Sequence, residues 1–93
     1  MDEREARAAR DSLSIYEVLV AAHARRHEVF DVVCTSANQE EAERRLRVLL
    51  DIPEGLPGAQ PIMDMAMSRW TEESRDFIAG QAELLRRLVS DSQ

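Results

Sequence analysis

Lysine is absent: all 12 cations are arginine, set against 18 acidic residues for a net charge of -6. A chain with that balance is not drawn onto phosphate backbones by its overall field, so tight direct DNA binding is not expected. The one cysteine, Cys34, cannot build an internal disulfide framework, which fits a reducing cytoplasm. No apolar run approaches the ~18 residues that suggest a membrane span, so no membrane partner is expected either. The start, Met1-Asp2-Glu3-Arg4-Glu5, is acidic and has no apolar core of a secretory signal. A cytoplasmic location is the expectation. Glycine and proline number three each, and two of each fall between positions 53 and 58. The chain therefore has one strong break and few other interruptions. Ser12, Ser14 and Ser36 lack the Gly-x-Ser-x-Gly setting of a nucleophile elbow, and there is no glycine-rich phosphate loop. Ninety-three residues make one domain, residues 1–93, with a small core.

What is present is helical periodicity. Leu13, Tyr16, Val20 and His23 recur at helical spacing, behind acidic residues Asp2, Glu3 and Glu5 that suit the positive end of a helix dipole. Arg25-Arg26-His27 interrupts this first helix. Val29, Phe30, Val32 and Val33 then form a short apolar run, predicted as a helix because nothing nearby could pair with it as a strand. Asn38 to Leu50 reads as a helix capped by Asn38, with Glu41 at the capping-box position and buried Ala42, Leu46, Leu49 and Leu50. Glu40–Arg44, Glu41–Arg45 and Glu43–Arg47 are spaced for ion pairs along its solvated face. After the loop from Pro53 to Gly58, Pro61 fits the first turn of a fourth helix carrying Ile62, Met63, Met65, Met67 and Trp70. Those residues cover about 200° of the helix, more than the ~100° that one neighbour hides. Thr71 caps the last helix, which runs to about Val89. Its two apolar rows are Ile78, Ala82, Leu85, Val89 and Phe77, Gln81, Leu84, Leu88. Two long helices at the ends with short ones between predict an all-α fold. The expected form is a long antiparallel helical hairpin capped by a small globular helical tip, about five helices in all.

Candidate chemistry is thin. His23, His27, Asp31 and Cys34 stand 4, 4 and 3 apart and would share a face of one continuous helix as metal ligands. The arginines at positions 25 and 26 look like a helix end that breaks that face, so no metal site is expected. Cys34 has only Asp31 near it, a poor setting for a thiolate, and reads as a small buried hydrophobe. Tyr16 lies in the apolar stripe and reads as core. The cluster Met63, Met65, Met67 and Trp70 could line a ligand pocket, but core plus a partner interface is the simpler account. No catalytic residue, cofactor site or enzyme activity is expected, nor is tight zinc binding.

Asp64-Met65-Ala66-Met67-Ser68-Arg69-Trp70-Thr71 resembles a signature of the A-type, DNA-cleaving subunits of DNA gyrase and topoisomerase IV, which reads roughly A-I-L-D-M-R-L-x-R-L-T before a Glu-rich helix. Asn38-Gln39-Glu40-Glu41-Ala42-Glu43-Arg44-Arg45-Leu46 is similar to the family's T-P-E-E-A-R-x-x-L helix start. Ile15-Tyr16-Glu17-Val18-Leu19 stands where the family has I-L-E-G-L, and Glu28-Val29-Phe30 where it has D-E-V-I. The order holds from about Arg10 to Val89. In that family this region is the far end of the coiled-coil stalk, the exit gate or C-gate at which two protomers meet. The resemblance implies a non-catalytic homodimerisation module. It implies as an alternative a small regulator that binds the intact A-type subunit of DNA gyrase through the same gate surface.

Departures from the pattern are equally definite. The family's catalytic tyrosine lies in a domain this sequence does not contain, so Tyr16 is not that residue. Val18 stands for the family's glycine and Ser74 for its glutamate after the threonine. Met1 with its own acidic first turn favours a free-standing relative over an excised tip. On a regular fourth helix, Trp70 would anchor the core while Ile62, Met65 and Arg69 faced a second copy. Leu56 and Pro57 would form the rim of that dimer interface.

Overall fold

The computed structural model describes residues 2–56 and 58–91, and among them every regular element is helical. Helix α1 spans Glu3–Ala24, α2 Arg26–Thr35, α3 Gln39–Leu49 and α4 Gln60–Met63. A 3-10 turn, Met67–Trp70, leads into α5, Glu72–Asp91. The fold is the all-α hairpin with a small helical tip that the periodicity predicts.

Each long helix begins where a side chain can satisfy a free backbone N–H. Asp2 accepts from Glu5 N at 2.8 Å, Asn38 accepts from Glu41 N at 2.9 Å, and Thr71 Oγ1 accepts from Ser74 N at 3.2 Å. Helix α1 stops at Arg25, whose φ of -118° and ψ of 33° turn the chain into α2. The Arg25 guanidinium grips Glu28 at 2.6 and 3.0 Å and donates to Leu49 O at 2.6 Å. That last bond ties the α1–α2 corner to the end of α3, where carbonyls lack helical partners.

Helices α1 and α5 run side by side in opposite directions. His23 at the end of α1 meets Trp70 just before α5 begins, with ring centroids 5.0 Å apart. Farther along, Glu17 reaches Arg86 at 3.6 Å. Small residues allow the close approach: Ala6 and Ala82 are buried, with Ile78. The second row of α5 behaves otherwise. Phe77, Leu84 and Leu88 are exposed.

The main core lies in the tip. Leu46 and Val29 are fully buried and meet Ala22, Ile52, Ala59 and Ile62, with Val18, Leu19, Leu49, Leu50, Leu56 and Trp70 around them. Helices α2 and α3 lie antiparallel, stitched at one end by Arg25. At the other end Arg45 donates to Val32 O, Thr35 Oγ1 and Ser36 Oγ at 3.3, 3.1 and 3.0 Å. Arg45 therefore does not form the expected ion pair with Glu41, whose carboxylate instead accepts from Ala37 N at 2.9 Å. A cation at the negative end of α2 satisfies three acceptors at once, which a surface pair along α3 could not match. Of the three pairs expected on α3, Glu43–Arg47 forms, at 3.9 Å.

The expected fourth helix is broken. After α4 the chain turns at Asp64 and extends at Ala66, with φ of -63° and ψ of 150°, before the 3-10 turn. A continuous helical wheel from Ile62 to Trp70 therefore does not exist. The apolar excess read from that wheel is instead shared between two short pieces with different faces.

Candidate interaction surface

The break between α4 and the 3-10 turn opens apolar hollows on two sides. One hollow, of about 400 Å³, lies between α2 and the tip segment and is walled by Phe30, Val33, Cys34, Met63, Met67 and Trp70. Trp70 closes its inner end, stacked edge-on against Phe30 at 4.8 Å between centroids. Met67 at its rim is 74% exposed. The other hollow, of about 480 Å³, lies between the tip and the hairpin, with Tyr16, Leu19, Pro61, Ala66, Phe77 and Ile78 along it. Met65 lines both hollows and forms the ridge between them.

The five residues expected at the interface are treated differently by the fold. Ile62 is only 3% exposed and belongs to the core cluster, so it does not face outward; the turn at Asp64 points α4 inward. Leu56 is half-buried against the same core. Pro57 lies outside the described residues. Met65 is half-buried on the ridge, and Arg69 is exposed beside it along the second hollow. Met65 and Arg69 are thus together along the second hollow, while Ile62, buried in the core, reaches only the first hollow, beside Met65.

Cys34, expected to be buried, is exposed at the end of α2. Its helix buries Val29 and half-buries Phe30 and Val32, and the thiol position falls past that stripe. His23 and His27 sit on different helices, the first buried and the second exposed, because Arg25 ends α1 between them. Among the described residues no three His, Cys, Asp or Glu side chains come together as a metal site.

His23 is 3% exposed and its Nε2 has no hydrogen-bond partner. Burial holds its pKa below the ordinary imidazole value, and the nearby Arg75 and Arg26 charges push the same way against a hydrogen bond to the backbone of Arg69. It is a neutral aromatic component of the joint between α1, the 3-10 turn and α5.

The stripe Phe77, Leu84, Leu88 extends the second hollow down the hairpin. Phe77 is 57% and Leu84 52% exposed. Periodicity marks this row as an apolar face without saying whether anything covers it. Among the described residues no helix is long and apolar enough to cross a membrane. These features define an all-α domain with an apolar ridge at its tip and an uncovered apolar row on its last helix. No family model, curated protein or solved structure matches this chain.

Proposed function

We propose that this chain is a non-catalytic association module that joins two copies of itself, in the manner of the exit gate of type IIA topoisomerases. The observation that carries the reading is the apolar face that starts at Met65 and Arg69 and continues along α5 through Phe77, Leu84 and Leu88. Such an area of exposed leucine and phenylalanine on one side of a small domain marks a contact surface. Methionine on the ridge adapts to a self-complementary surface, and arginine at its edge suits an interface. The resemblance from Asp64 to Thr71 supports the same reading, since in that family this stretch belongs to the tip at which protomers meet.

The test is molecular mass in solution. Light scattering at micromolar concentration should give twice the 10.6 kDa of the chain. Met65→Asp puts a charge on the ridge of both copies, so one substitution acts twice across a two-fold axis. It should give a monomer with helical circular dichroism unchanged. A wild-type chain that stays monomeric at high concentration overturns the proposal.

A further inference from the structure

We infer that the second copy docks along α5 itself, antiparallel, with the two-fold axis passing close to Gly80. This rests on the self-association proposed above and assigns its geometry. Below the tip the molecule is one layer of two helices, and the overall extents of 44 × 29 × 17 Å leave it thin. Among the described residues nothing covers Phe77, Leu84 and Leu88, which with half-buried Gln81 are spaced 4, 3 and 4 apart, the spacing of a coiled-coil seam. A hairpin with such a seam is half of a four-helix bundle.

Three observations select a second copy as the occupant. The seam is nearly symmetric about Gly80, with Phe77 three residues before it and Leu84 four after. An antiparallel copy therefore sets Phe77 against the partner's Leu84 and the reverse. Charge follows the same symmetry. Exposed Glu73 and Arg87 lie seven residues either side of Gly80 and flank the same edge of the seam, so an antiparallel copy brings the partner's glutamate toward Arg87, which in its own chain reaches Glu83 at 3.4 Å. Finally, glycine within a helix lowers its stability relative to alanine. A Cβ added at Gly80 would meet nothing within 4 Å in its own chain, so nothing in the monomer calls for glycine there. At the crossing point of two antiparallel helices, a missing side chain lets the backbones approach. The same register brings the partner's Leu88 level with Glu73, beside the hollow bounded by Phe77 and Met65. The arms then lie alongside one another, so this register keeps the self-association proposed above and departs from the tip-to-tip contact of the gate.

Sedimentation equilibrium of the full chain tests the register. Leu84→Asp, at an exposed position, should abolish the dimer with helical content unchanged. Gly80→Ala should raise or preserve the melting temperature measured at monomeric dilution yet weaken the dimer at least about tenfold. Glu73→Arg should weaken it, and Glu73→Arg combined with Arg87→Glu should restore it. Gln81→Cys in a Cys34→Ser background should cross-link to its own copy on mild oxidation. A dimer that survives Leu84→Asp, ignores Gly80→Ala and fails to cross-link overturns this register while leaving self-association standing. A monomeric wild type overturns both.

Discussion

His23 is the residue at which packing and protonation compete. Its ring fills the joint against Trp70, and an unpartnered Nε2 in that place can remain only while it is uncharged. The folded pKa lies below the unfolded value of 6.5, so the unfolded chain binds the extra proton. Stability from this group is complete above that unfolded value and is lost as pH falls through it toward the folded one. The melting temperature should drop as pH falls through about 6.5, and His23→Gln should reduce the drop. An unchanged slope in the variant would assign the acid sensitivity to the carboxylates. Gly58 is the second residue with a single-atom constraint. Its φ is +74°, and a Cβ there would run into the Arg47 guanidinium, which donates to Leu56 O at 3.3 Å. Gly58→Ala should cost about 1–3 kcal/mol in chemical denaturation, and the same change at Gly55, where the space is open, should cost less.

At the scale of elements, the helices are held more by their ends than by pairs along their faces. Asn38 fixes the start of α3, while Arg25 and Arg45 fix the ends of α3 and α2 through carbonyls that would otherwise go unmet. Asn38→Ala should therefore lower stability by about 1 kcal/mol, measured by urea denaturation, whereas Glu40→Ala on the solvated face should change it by less than about 0.5 kcal/mol. Asn38 and Thr71 were legible as caps in the sequence because capping is a local matter, decided within four residues. The partner of Arg45 was not, because Ser36 and Val32 become its neighbours only after α2 and α3 fold together. The break at Asp64 was hidden for a similar reason. Met65 and Ala66 suit a helix well enough, and the extended backbone at Ala66 answers to the packing of Ile62 inward and of Trp70 against His23.

For the whole molecule, two cores of unequal strength share one hairpin. The tip encloses Leu46, Val29 and Ile62, while along the arms Ala6, Ile78 and Ala82 are buried and Leu13, Tyr16, Val20, Leu85 and Val89 are half-buried. Trp70 links the two regions, touching Phe30 on α2 and His23 on α1. Trp70→Ala should lower stability by about 3–5 kcal/mol, seen as a large fall in melting temperature, because it empties the joint between tip and arms. The thin lower arms also explain why association would matter to this fold: a two-helix layer gains its second layer only from a neighbour.

The sequence by itself determined that the chain is helical, where its long helices begin, and that the Pro53 to Gly58 segment separates two halves of the fold. Those outcomes rest on periodicity, caps and backbone restrictions, all of which act over a few residues. Only the tertiary structure decided which apolar residues are covered. Ile62 and Phe77 both stand on apolar faces in the sequence, yet one closes the tip core and the other is left open on α5. The physical reason is that burial depends on what lies opposite, and the path of the chain after Asp64 sets that.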